Sequence, residues 1–189
     1  MRRHVSSKAY SNAMGEAGLQ AFLAHAHNGG ADHFLAFIEE ELHPEITRRH
    51  RIDNSSVGLY GHSQGGLFTL YALTFGSRLF NIYGAASPGI MTDDSQVFSL
   101  YRKLRAEGTD PARNIRLHMT ANDIEMTGTI ELYRSIGNGF LKFIDVVRNE
   151  PLPGLHLTST IICGETHFSG VFDAYRSFLR SSYASAPQP

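Results

Sequence analysis

Between Ser56 and Cys163 four short apolar runs, "SVGLYG", "IYGAAS", "IRLHMTA" and "LHLTSTIIC", alternate with longer stretches whose apolar residues recur at helical spacing. Runs this short, rich in Val, Ile, Leu and Tyr, read as strands, and the stretches between them read as helices: "GGLFTLYALTFG", "DDSQVFSLYRKLRAEG" and "TGTIELYRSIGNGFLKFIDVVRNE". A final helix is predicted over "SGVFDAYRSFLRSS". Strands that alternate with helices imply βαβ units, hence an α/β fold with a mainly parallel sheet covered by helices on both faces.

Upstream of the first strand, Phe34, Leu35, Ile38 and Leu42 fall on one helical stripe, with Asp32 available as N-cap and Pro44 expected to end or kink the helix. Residues 1–30 mix small and polar side chains and end in Gly29-Gly30, so they read as an N-terminal arm with a short helix at Leu19 to Ala26. Residues 31–181 then form one domain. The tail from 182 to 189, ending in "ASAPQP", is expected to be disordered.

Composition narrows the function classes. Seventeen basic residues against eighteen acidic ones, with no cationic block longer than a pair, leave no electrostatic footprint for nucleic acid. No apolar run reaches the roughly 18 residues of a membrane span, and the basic start lacks the apolar core of a signal peptide, so a cytoplasmic location is expected. Cys163 is the only cysteine; it has no internal disulfide partner and is expected to be a core residue of the last strand.

The chemistry centres on "GLYGHSQGG". Gly61, Ser63 and Gly65 form G-x-S-x-G between a predicted strand and a predicted helix, where a serine on a strained turn meets a helix N-terminus. Side chains at the flanking positions are expected to collide with the adjoining strand and helix. The N–H of Gln64 is then an oxyanion donor. A serine needs a base, and the base needs an orienting acid. Seven of the ten histidines precede the serine, and His118 and His156 lie in or before strands, where satisfied, partly buried histidines are expected. His167, in the loop after the last strand, is the base candidate. Asp123 and Glu125 both follow the third strand, and spacing leaves the choice of acid open. His25 and His27 lack a third ligand at metal spacing, so no metal is expected, and Asp93-Asp94 reads as a helix N-cap.

With those residues in view, the chain resembles the esterase family of α/β-hydrolases that includes S-formylglutathione hydrolase-like and siderophore (enterobactin and salmochelin) esterases. The resemblance runs from about Gly29 to Leu179 and rests on "GGADHFLAFIEEELHPEI", "GLYGHSQGGLFTLYAL", "AASPGI", "TANDIE" and "GETHFSGVF". It implies Ser63 as nucleophile, His167 as base and Glu125 rather than Asp123 as acid. Where that family carries a bulky pair lining the acyl pocket, this chain reads Gly89-Ile90-Met91 and has no tryptophan. Ile90 and Met91, with His62 beside the serine, are expected on the substrate side.

The resemblance further implies a serine hydrolase acting on small carboxylic or thio-esters with no cofactor. Members carry on the order of a hundred residues before the point where this chain starts, including the loop that gives the second oxyanion N–H. A partial α/β-hydrolase fold is therefore expected, from a truncated gene model or a chain that covers an open sheet edge by self-association. The rival expectations are an inactive remnant serving as an interaction module, and an acyltransferase built on the same acyl-enzyme.

Overall fold

The computed structural model describes residues 30–110 and 113–183. They fall into two compact units divided between Asp53 and Asn54. The expected arm helix at Leu19 to Ala26 lies outside the described residues, as does the tail beyond Tyr183.

The first unit is a helix in three segments: α1 (Ala31–Phe37), a π-helical turn (Ile38–Leu42) and α2 (His43–Arg49). Pro44 does not end the helix. It falls in the first turn of α2, where a residue without an N–H leaves no bond unmade, and the wider turn before it absorbs the change of pitch. Leu35 is buried, while Phe34 and Phe37 stack at 6.3 Å.

The second unit is a four-stranded sheet, β1 (Gly58–His62), β2 (Ile82–Ala86), β3 (Ile115–Asn122) and β4 (Leu155–Ile162), every pairing parallel and in chain order. The helices are α3 (Gln64–Phe75), α4 (Gln96–Glu107), the short α5 (Ile124–Thr127), α6 (Glu131–Asn149) and α7 (Val171–Tyr183). This is the expected α/β arrangement, with strand and helix boundaries shifted by a few residues. Two corrections concern element ends. The predicted helix from Thr127 begins at Glu131, after α5, and the N-cap of α4 is Ser95, since Asp93 instead pairs with Lys142 at 2.6 Å.

Alternation along the strands decides which helix lies where. Tyr60 of β1 packs on Phe178 and Tyr175 of α7, so α7 covers that face. Gly61, one residue on, points the opposite way and meets the backbone of Gly65 in α3. With both faces covered, β2 is buried along its whole length and β3 at every position but Arg116. At the edge, β4 alternates between exposed and half-buried positions and then stays largely exposed. Cys163 lies just past it and is exposed, not part of the core, because an edge strand has no neighbour to bury its end. His118 on β3 is buried, its Nδ1 2.8 Å from Thr158 Oγ1 and its Nε2 2.9 Å from Ser177 Oγ, whereas His156 is exposed.

All four strands end on the same side of the sheet. Ser63 follows β1, Ser87 follows β2, Glu125 lies just after β3 and His167 follows β4. Parallel strands open a crevice at their carboxyl ends, and these four residues share it.

Candidate active site

Ser63 has φ 57° and ψ −116°, a positive φ that a non-glycine residue holds only when its surroundings impose it. Backbone bonds on both sides do so. Its N–H donates to Ala86 O at 2.9 Å, and its carbonyl accepts from Leu67 N at 3.0 Å and Gly89 N at 2.9 Å. Two glycines make the turn possible, but they are not the pair expected. A Cβ at Gly61 would strike the Gly65 backbone, and one at Gly66 would lie 2.7 Å from Ala86 O, whereas one at Gly65 would meet nothing. Gly65 is therefore sterically free and Gly66 is the second required glycine.

The hydroxyl so presented faces an imidazole. Ser63 Oγ is 3.0 Å from His167 Nε2, and His167 Nδ1 is 2.6 Å from Glu125 Oε1. With Nδ1–H donating to the carboxylate, the Nε2 lone pair is left to accept from the serine. His167 is 4% exposed and Glu125 fully buried, so water does not compete for the bond between them, while Ser63 is half-buried. His167 sits in a turn closed by reciprocal bonds, Thr166 N to Ser169 Oγ at 2.9 Å and Ser169 N to Thr166 Oγ1 at 3.1 Å. Its ring is flanked by Tyr133 of α6, stacked at 5.2 Å, by His62 at 4.6 Å and by Phe168 edge-on at 5.3 Å.

Glu125 is held by more than the imidazole. Ser87 Oγ donates to Oε2 at 2.9 Å, Asn122 N to Oε2 at 2.9 Å, and Asn122 Nδ2 to Oε1 at 3.2 Å and to Ser87 Oγ at 3.1 Å. Burial on its own would raise the carboxyl pKa, but the bonds from His167, Asn122 and Ser87 together outweigh it and hold the group below the ordinary carboxyl range. It is an ionised acceptor at neutral pH. Sequence left Glu125 and Asp123 open until the resemblance favoured Glu125; geometry gives the imidazole contact to Glu125. Asp123 points the other way, accepting from Ile124 N at 2.9 Å and Gly164 N at 3.0 Å.

The other expected residues divide. Gln64 opens α3, so its N–H precedes the first i to i−4 bond of the helix and stays clear of the ladder. Its side-chain amide lies against Gly89, where a Cβ would come 3.0 Å from Nε2. His62 is half-buried; burial first, and the neighbouring His167 next, hold its pKa below the usual histidine range, so it is neutral. Met91 is half-buried. Ile90, expected on the substrate side, is instead 1% exposed and pressed against α6, where a Cβ on Gly139 would run into its carbonyl, so it has no surface to offer a ligand. Among the described residues no three His, Cys, Asp or Glu side chains come together as metal ligands, and no helix is long and apolar enough to cross a membrane.

Three contributors carried no role in the sequence. Ser87 and Asn122 lie inside the quoted motifs "AASPGI" and "TANDIE", yet only the positive φ of Ser87, 41°, turns its hydroxyl onto Glu125, and a backbone angle leaves no mark in residue type. Tyr133 has only its place in the first turn of α6. The arrangement is a polarised hydroxyl, a base and a buried carboxylate in one line, with an unused N–H beside the hydroxyl. It can generate an alkoxide equivalent and stabilise negative charge next to it.

Known proteins fit this picture. The ferri-bacillibactin esterase BesA of Bacillus subtilis is 48% identical over 63 residues, 33% of this chain and 22% of that protein. The siderophore enterobactin esterase of Emericella nidulans is 40% identical over 78 residues, 40% of this chain and 26% of that protein. Among solved structures, the BES protein from Bacillus cereus superimposes with a TM-score of 0.71 at 28% identity, covering 82% of this chain and 57% of that one. The siderophore hydrolase EstB from Aspergillus nidulans gives 0.71 at 24% identity over 85% and 61%, a likeness of fold alone. The matched stretches thus span about a quarter of these curated relatives and under two thirds of these solved chains. The family model described as "Putative esterase" matches residues 4–146, which hold Ser63, Ser87 and Glu125 but stop short of His167. With most of its length matched by that model and an α/β-hydrolase-type sheet, the chain belongs to this esterase family.

Proposed function

We propose that the chain hydrolyses carboxylic esters or thioesters through an acyl-enzyme on Ser63. One observation carries the reading: the unbroken line from Ser63 Oγ to His167 Nε2 at 3.0 Å and from His167 Nδ1 to Glu125 at 2.6 Å, with the histidine and the acid buried. His167 Nε2 takes the proton as Oγ attacks the ester carbonyl, and ionised Glu125 stabilises the imidazolium that forms. The Gln64 N–H faces the developing oxyanion, aided by the positive end of α3. Collapse expels the alcohol or thiol with the proton from His167, and a water activated by the same nitrogen then releases the acid. The substrate we assign is an ester of the siderophore class, on the likeness to the ferri-bacillibactin and enterobactin esterases.

The test is a panel of p-nitrophenyl acetate, a thioester and enterobactin offered to the wild type and to Ser63→Ala. Turnover of any of the three that disappears in the variant supports serine ester hydrolysis, and a preference for enterobactin supports the assigned class. Equal turnover by both proteins refutes the mechanism.

A further inference from the structure

Asp123 qualified for the acid by position until the resemblance favoured Glu125, and its carboxylate is occupied elsewhere. Oδ2 accepts from Gly164 N at 3.0 Å, in the turn that begins the histidine loop, and Oδ1 accepts from Ile124 N at 2.9 Å, at the start of α5. Its own N–H donates to Ile162 O at 3.0 Å, the last residue of β4, and its carbonyl accepts from Met126 N and Thr127 N, each at 3.0 Å. One residue thus joins the loop that carries the acid to the loop that carries the base. Glu125 lies two residues along one branch, and His167 three residues beyond Gly164 along the other. A second contact runs alongside: the Asn122 amide fills the space where Gly170 would carry a Cβ.

We propose that Asp123 is a positioning residue, a latch whose two carboxylate bonds set the spacing between Glu125 and His167. The catalytic part of this rests on the function proposed above; the mechanical part does not. Gly164 has φ 77°, a conformation the chain reaches without penalty only at glycine, and the turn it makes has no regular secondary structure to hold it. Beyond the Ile162 carbonyl, the bond to Asp123 is what ties this turn to β3. An acid–base pair 2.6 Å apart tolerates little drift, and a misplacement of about 1 Å can cost on the order of 10²-fold in rate.

Asp123→Asn keeps the size and one acceptor while putting a donor opposite an N–H. The expected result has two parts. Exchange of the Gly164 amide, followed by hydrogen–deuterium exchange, speeds up roughly tenfold, the loss of one charge-assisted bond of about 1.4 kcal/mol. Labelling of Ser63 by a fluorophosphonate slows about 10- to 100-fold, and hydrolysis of p-nitrophenyl acetate loses kcat with KM unchanged. Tm falls by no more than about 4 °C, since the residue is partly exposed and no core contact is lost. Asp123→Ala should give the same pattern, more strongly.

Wild-type exchange at Gly164 in both variants overturns the latch, as does wild-type labelling with faster exchange, which would make the bond irrelevant to the pair. Should the folded wild type itself fail to label, the ester-hydrolase function falls instead. The latch is then judged on Gly164 exchange alone, faster exchange supporting it and unchanged exchange refuting it.

Discussion

Around Glu125 both carboxylate oxygens are bonded twice, by Ser87, Asn122 and His167, in a volume with no accessible surface. Around the first turn of α3, the N–H groups of Gln64, Gly65 and Gly66 precede the first helical bond, and a Cβ at Gly65 would meet open space. The acid side is thus crowded and fully partnered, the nucleophile side spare and open. Buried charge explains the first: an ionised carboxylate without its donors would cost several kcal/mol. On the function proposed above, the second is where substrate would enter, with donors and room left for it. Tolerance to substitution should therefore differ sharply between the two sides.

The largest effect expected is on the crowded side. Glu125→Gln removes the charge that holds the imidazolium and can stabilise the wrong tautomer, so kcat should fall by about 10³- to 10⁴-fold while the protein stays folded. Steady-state hydrolysis with circular dichroism on the same samples checks this. A loss below tenfold would mean that the carboxylate is structural.

Next come the two adjacent glycines, which break the comparison within a single turn. Gly66→Ala forces a methyl group against Ala86 O and should cost about 1–3 kcal/mol. Gly65→Ala places the same methyl in open space within a helix and should be neutral or stabilising by up to about 1 kcal/mol. Urea midpoints of the two variants measure the difference, and equal destabilisation would contradict the elbow geometry.

Ser87→Ala sharpens the comparison from the acid side. It deletes one donor to the carboxylate at a cost of roughly 1.5–3 kcal/mol. The sign with pH follows from the depressed carboxyl of Glu125. Its stabilising contribution is complete above the ordinary carboxyl value of 4.5 and is lost as pH falls through the lower folded value. Without Ser87 the folded value rises toward 4.5, so the loss of stability still starts below 4.5 but is smaller and ends at higher pH, while the acid limb of activity moves to higher pH in the variant. Thermal melts between pH 3 and 6, a range of about three units around that value, should show the stability gap between wild type and variant narrowing as pH falls.

The smallest effect belongs to the neutral histidines. Burial, joined at His62 by the neighbouring His167, holds His118 and His62 below the usual value of 6.5. The unfolded chain therefore takes up protons there before the folded one does, and stability declines as pH drops below about 6.5. His118→Gln should flatten that decline. Melts at pH 7 and pH 5.5, values chosen to straddle roughly the unperturbed titration, test it, an unchanged slope speaking against His118 as a source.

Much of this was legible in residue order. Four apolar runs between helical stretches gave the parallel sheet, because a strand buried on both faces tends to be apolar throughout, as β2 is, while β3 alternates Ile115, Leu117, Met119 and Ala121 with the polar Arg116, His118, Thr120 and Asn122. Strand ends gave Ser63 and His167, since a parallel sheet delivers all its carboxyl ends to one crevice. What sequence left undecided depends on side-chain direction. Asp123 and Glu125 differ only by the turn of α5 between them, and Ile90 differs from Met91 only by which way one residue faces in a loop. Gly65 and Gly66 are identical in type, and the backbone packed against Gly66, Ala86 O nearest, tells them apart. Ser87 required a positive φ that no residue preference announces.

The most direct measurement is fluorophosphonate labelling of the purified chain beside Ser63→Ala and His167→Ala. Labelling of the wild type that is abolished in the first variant and nearly so in the second is the result expected of a serine activated by its histidine. A folded wild type that takes up no probe, or a His167→Ala variant that labels at the wild-type rate, would contradict it.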